Sequence, residues 1–149
     1  MADTLGFMIG DVWRLLRRAF DERARTIGVT RSQWGMLTTL ARHEGVNQGR
    51  LADLLDVEAI TLCRMVDRLE EAGLVERRSD PSDRRAWRIY LTTKAHPILD
   101  ELRFLGDGLI EEALTGLTGP DRDAFGNMLE RIRTNLNDAE RKEKVAANG

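Results

Sequence analysis

The stretch from residue 48 to residue 91 most constrains what this chain can fold into. It holds a short amphipathic run at 48–55, a break at Asp56-Val57, and a longer amphipathic run at 58–72 closed by Gly73. Leu51, Leu54 and Leu55 mark the inner side of the first run. Leu62, Met65, Val66 and Leu69 share one face of the second at the helical step of about 100° per residue. Beyond Gly73, Leu74-Val75 and Ile89-Tyr90-Leu91 read as strands around the turn chemistry of Ser79-Asp-Pro-Ser-Asp83. Helix, turn, helix and hairpin in this order predict a winged helix-turn-helix.

The outer face of the 58–72 helix carries Ile60, Thr61, Arg64, Asp67 and Arg68. Arginine there can pair bidentately with guanine, and threonine can meet a phosphate or a thymine methyl. The alternative is a solvated face with intrahelical ion pairs, Asp67 with Arg64 or Glu71 with Arg68. The hairpin favours the first. The chain as a whole has a net charge of −2, yet residues 77–88 contain five Arg against two Asp. Local charge sets the field at a phosphate backbone. Arg84 and Arg85, just past the tip, suit the negative potential of a narrow minor groove. Asp83 beside them is expected to clamp an arginine.

Other function classes find little support. A single cysteine, Cys63, excludes an intrachain disulfide framework and a Cys-rich metal site. No apolar run approaches about 18 residues, and the start lacks a basic-then-apolar leader, so a cytoplasmic protein is expected. His43 and His96 have no nucleophile or metal ligands at useful spacing, so neither an enzyme nor a cofactor is expected.

The flanks of the 48–91 stretch read as helices. Residues 5–25 place Leu5, Met8, Ile9, Val12, Leu15, Leu16 and Ala19 at helical spacing and end at Gly28. Thr30 with Gln33 forms a capping box for a helix at 31–43, with Trp34, Leu37, Leu40 and Ala41 inward. Asn47 can cap the next helix. After the hairpin, Pro97 restricts a helix start to between Thr93 and His96, and apolar spacing carries that helix to about Leu117. Gly106 and Gly108 inside it suggest a bend or a close crossing. Thr118-Gly-Pro-Asp121 starts a last helix at 121–140, carrying Phe125, Met128, Leu129, Ile132 and Leu136, and residues 141–149 are expected to fray. The fold class is therefore mainly α, with a small β wing (α+β). A lobe at 30–91 would bind DNA, and residues 5–28 and 93–140 would form a helical dimerisation region. A two-fold homodimer would set two recognition helices one DNA turn apart, facing a palindrome.

Several segments carry a family resemblance: Gln33-Trp34, Leu51-Ala52, the run from Arg64 to Arg77 (RMVDRLEEAGLVER), and above all Asp80-Pro-Ser-Asp-Arg-Arg-Ala86 followed by Ile89-Tyr-Leu-Thr92. On these the sequence resembles the MarR family of bacterial transcription regulators. Lys94-Ala-His-Pro97 resembles its SlyA-type branch. The resemblance implies a winged-helix homodimer on palindromic promoter DNA, repressing until a small phenolic or carboxylated aromatic ligand relieves it. SlyA-type relatives also activate by displacing nucleoid proteins. It also implies DNA contacts from Thr61 and Arg64 on the recognition helix and from Arg84 and Arg85 on the wing. Gln48 and Arg68 complete the DNA-facing candidates. The implied effector pocket falls on Arg14, Arg17, Trp34, Thr38 and Met65, where an arginine beside an indole suits an aromatic carboxylate. Some relatives sense oxidants through cysteine. Cys63, on the flank of the recognition helix with Arg64 next to it, is a candidate for that role.

Overall fold

The computed structural model describes residues 2–149. Six helices and one antiparallel hairpin follow in the order α1 (Ala2–Thr26), α2 (Arg31–Arg42), α3 (Gln48–Leu55), α4 (Ala59–Glu71), β1 (Val75–Asp80), β2 (Asp83–Leu91), α5 (Ala95–Ala113) and α6 (Gly119–Ala147). This is the winged helix-turn-helix that the sequence predicts. The chain divides into two compact units, one reaching to Leu109 and the other Ile110–Gly149. Among the described residues no helix is long and apolar enough to cross a membrane.

Local chemistry sets most of the boundaries in the first unit. Gly28 (φ 75°) lets Val29 N–H turn back to the Ala24 carbonyl and close α1. Thr30 and Gln33 form the reciprocal capping box of α2, and Asn47 accepts from Arg50 N–H at 2.7 Å to cap α3. The tight turn into α4 runs through Asp56 at φ 53°, a left-handed conformation that short polar side chains tolerate. Met36, Leu37 and Leu40 of α2, Leu51 of α3 and Leu62, Val66 and Leu69 of α4 form the core with Val75, Ile89, Leu99 and Leu102. Each such side chain contributes about 1.5–3 kcal/mol on burial. Met65 is only partly buried at the core's edge. Ala41, expected inward, is exposed, because the buried stripe of α2 runs through Met36, Leu37 and Leu40.

The hairpin pairs Val75 with Leu91 through Ser79 with Trp87, then slips so that Asp80 faces Asp83. Arg84, Arg85 and Ala86 are left without register partners. The strands therefore reach closer to the tip than the turn residues suggest, and the two wing arginines stand in a bulge on β2 rather than in a loop. Of the two glycines in α5, Gly106 marks a close crossing: an added Cβ would lie 3.5 Å from the Phe20 ring of α1, whereas nothing lies within 4 Å of Gly108.

In the second unit α5 ends at Ala113, not Leu117, and Gly116 (φ 90°) turns the chain. Thr118 and Asp121 then form a second capping box, so α6 begins at Gly119, with Pro120 in its first turn. α6 continues to Ala147, and the expected fraying after residue 140 is not seen. Alanine, lysine and glutamate there are strong helix formers, and Lys144 pairs with Glu140 at 2.6 Å one turn back. Phe125, Met128, Leu129, Ile132 and Leu136 of α6 are exposed, as are Leu5, Met8, Ile9, Val12 and Leu15 of α1.

Candidate nucleic-acid interface

The recognition helix presents the face that its periodicity predicts. Ile60, Thr61, Arg64, Asp67 and Arg68 are all exposed, opposite buried Leu62, Val66 and Leu69. Neither intrahelical ion pair forms. Asp67 turns instead to Arg77 of β1, Oδ1 to Nη2 at 2.7 Å. Among the described residues no ion pair engages Arg64 or Arg68, so both guanidinium groups are available to an outside acceptor.

Arg77 is the residue that sequence reasoning missed; it counted only as one of the hairpin's charges. Its Nε donates to Gln48 Oε1 at 3.2 Å, Nη1 to Glu70 Oε1 at 3.1 Å, and Nη2 to the Cys63 carbonyl at 3.1 Å. One side chain thus ties β1 to the start of α3 and to the flank of α4. Burial works against its charge, but Asp67 and Glu70 outweigh that and hold the guanidinium above its ordinary range. Its Nη2 also lies 3.8 Å from Cys63 Sγ. The guanidinium beside that half-buried thiol is therefore Arg77's, arriving from a strand 14 residues further on, rather than the sequence neighbour Arg64's.

In the wing, Asp80 is buried at 6% exposure and accepts from Ser82 N at 2.9 Å and Ser82 Oγ at 2.7 Å. It also pairs with Arg88 Nε at 3.2 Å. The Ser82 hydroxyl and amide, then Arg88, hold its carboxyl below the usual range against the effect of burial. Asp83 does clamp, but not as expected: its Oδ1 accepts from the backbone N–H of Arg85 at 3.0 Å and holds no guanidinium. An Asx turn fixes the chain while the Arg84 and Arg85 side chains stay exposed, without an ion pair among the described residues. The base of the wing is anchored where Ile89 N–H donates to the Val46 carbonyl and Gly45 N–H to the Ile89 carbonyl, beside the start of α3. The Arg88 guanidinium reaches the Gly45 carbonyl at 3.3 Å.

Of the five candidate effector residues, one lines the cleft beside the recognition helix. Met65 lines a cleft of ≈ 170 Å³ with Thr30, Ser32, Gln33, Met36, Arg68 and Leu69. Arg14 is exposed and paired with Asp11 at 2.8 Å. Thr38 Oγ1 donates to the Trp34 carbonyl of its own helix at 2.7 Å. Trp34 donates its indole N–H to Asp21 and packs edge-on against Phe20, ring centroids 4.8 Å apart. Arg17 is half-buried beside Asp21, and its Nε has no hydrogen-bond partner among the described residues.

Comparison with known proteins places this geometry. The MarR family's model matches residues 27–86, which span α2, α3, α4 and the wing arginines. The chain is similar to the solved transcriptional regulator PA3341, at 32% identity over 90% of this chain and 98% of that one, with a TM-score of 0.78. It is also similar to a cysteine-to-serine variant of MarR from E. coli in complex with operator DNA, at 28% identity over 87% and 93% of the two chains, with a TM-score of 0.72. Against the transcriptional regulator SlyA the values are 27%, 90%, 94% and 0.76. Identity to MarR and to SlyA is nearly equal, so the likeness does not single out the SlyA-type branch. With its helix-turn-helix, its basic wing and these relatives, the chain belongs to the MarR family of transcriptional regulators.

Proposed function

We propose that this protein is a homodimeric repressor that binds a palindromic promoter site in the cytoplasm and is released by a small phenolic or carboxylated aromatic ligand. One observation carries the DNA reading: Arg64 and Arg68 on α4 and Arg84 and Arg85 in the β2 bulge are exposed and unpaired among the described residues, on two adjoining parts of one fold. Thr61 and Arg64 suit the edges of bases in a major groove, Arg68 and Gln48 suit phosphates, and Arg84 and Arg85 suit the neighbouring minor groove. The solved complex of a MarR variant with operator DNA supports the same use of the fold.

Residues 30–91 then serve as the DNA-binding lobe, and residues 5–28 and 93–140 as the dimerisation region. Support for the latter comes from the exposed apolar stripes of α1 and α6. Support for an anionic effector comes from the unpaired Arg17 Nε and from Arg68 at the cleft that Met65 lines.

Selection of binding sequences from a pool of random duplexes tests the proposal. Two-fold symmetric sites with half-site centres about 10 bp apart are expected to enrich. Transcription from a promoter bearing the enriched site should fall on adding the protein and recover with a hydroxybenzoate panel. No enrichment at low salt rejects the DNA reading. Enrichment without recovery rejects the effector reading alone.

A further inference from the structure

We infer that Arg77, to which the proposed function gives no part, is a positioning residue of the DNA face: it braces the recognition helix against the wing and masks that helix's own carboxylates. This inference rests on the DNA-binding role proposed above. Asp67 lies about 60° round the helix from Arg64 at the usual helical step, so it shares the outward face. Glu70, one turn on, lies about 120° round from Arg64, on the flank of that face. Two free carboxylates at that surface would repel phosphate oxygens.

Arg77 reduces that repulsion, its single positive charge offsetting one of the two negative ones. Nη2 meets Asp67 Oδ1 at 2.7 Å and Nη1 meets Glu70 Oε1 at 3.1 Å. The backbone N–H of Arg77 donates to Glu70 Oε2 at 3.1 Å, so both oxygens of Glu70 are held. The same guanidinium reaches the Cys63 carbonyl and Gln48 Oε1. Four acceptors on α3 and α4 thus meet one planar fork of five donors, an arrangement a lysine ammonium cannot reproduce. The contact to Gln48 takes up its amide oxygen and leaves its NH2 group to donate outward. The Arg77 side chain is only 14% exposed, so it is committed inward and reaches no phosphate itself.

The test is a cycle of four proteins: wild type, Arg77→Met, Asp67→Asn/Glu70→Gln, and the triple variant. Binding is read by fluorescence anisotropy on the enriched duplex and on an unselected duplex at low salt, with thermal melting as the control for folding. Arg77→Met should bind roughly tenfold more weakly or worse, with its dependence on salt unchanged. The Asp67→Asn/Glu70→Gln pair should change little with Arg77 present and recover much of the loss in the Arg77→Met background. Arg77→Lys should fall between wild type and Arg77→Met, and it replaces Arg77→Met in the cycle if that variant does not melt cooperatively.

Three outcomes overturn the inference while wild type binds. One is Arg77→Met binding like wild type. Another is the Asp67/Glu70 pair acting by the same factor in both backgrounds, which marks a long-range charge effect. The third is a salt slope lowered by about one in Arg77→Met, which marks a direct phosphate contact. Failure of wild type to bind either duplex instead overturns the underlying DNA reading, and this inference with it.

Discussion

The indole N–H of Trp34 donates to Asp21 Oδ1 at 2.8 Å while Arg31 holds the other oxygen, with its Nε at 2.6 Å and its Nη2 also in contact. Asp21 lies near the end of α1 and is 9% exposed; Trp34 and Arg31 lie on the first turns of α2. The network therefore pins one helix to the next, and the indole that suggested an effector pocket already has a structural partner. The Arg31 hydrogen bond lowers the Asp21 pKa from its ordinary 3.8; burial raises it in part, and Trp34 lowers it again.

A prediction follows for stability against pH. Because the folded value lies below the unfolded one, the network's contribution is fully present above about pH 4 and is lost as pH falls through the folded value. Asp21→Asn should therefore be less stable than wild type at pH 7, with the difference shrinking in acid. Trp34→Phe should cost about 1 kcal/mol at pH 7 by removing one hydrogen bond. Urea unfolding at the two pH values measures both effects. An Asp21→Asn deficit that stays constant into acid contradicts the assignment.

The wing arginines should affect binding and not folding. Arg84→Ala and Arg85→Ala each remove an exposed side chain without an ion pair, so stability should move by no more than about 0.5 kcal/mol. DNA affinity should fall in each and further in the double variant. A side chain that meets a phosphate should also lower the salt slope by about one. Affinity unchanged in both single variants and the double variant, at moderate salt, rules out a binding role for the wing.

Asp80 should govern the order of the wing. Its carboxylate closes the two-residue tip through Ser82 and braces Arg88 from within the hairpin. Asp80→Ala removes all of these contacts and should let the bulge open. Trypsin cleavage after Arg84 and Arg85 should quicken, and the Ser82 amide should exchange faster. Cleavage at the wild-type rate would show that strand pairing alone keeps the wing ordered.

The apolar stripe of α6 should carry self-association. Phe125, Met128, Leu129 and Ile132 are all at least 41% exposed on one face of a polar helix. Ile132→Glu should convert a dimer to a monomer in sedimentation while leaving the helical circular dichroism signal intact. DNA affinity should fall with it, because a single half-site contact replaces two. Wild type sedimenting as a monomer at micromolar concentration would remove α6 as an interface.

The features legible in the sequence are those whose causes lie within a few residues. Thr30 with Gln33 and Asn47 before Gln48 each satisfy a free N–H group of the helix they begin, and both form as expected; the start signal at Thr118-Gly-Pro-Asp121 forms as a capping box that begins α6 two residues earlier than expected. The apolar face of α4 and the exposure of Thr61, Arg64 and Arg68 follow from helical periodicity alone. The length of α6 differs from expectation for a local reason too: position near a chain end and polar composition suggest fraying after residue 140, while the alanine, lysine and glutamate content favours helix to Ala147.

By itself, then, the sequence determined the order of the elements, their caps and the residues on the outward face of the recognition helix, because helix and turn preferences act over one or two turns of chain. Only the tertiary structure decided which charges are free. Asp67 had Arg64 within reach along its own helix and took Arg77 from the hairpin instead. Trp34 found Asp21 across 13 residues, and Arg77 found Gln48 across 29. An ion pair or hydrogen bond is set by distance in space and by what burial leaves without water. Neither can be read from spacing along the chain, so the stretch from α3 to the wing announced a basic surface while the fold decided which of its arginines face outward.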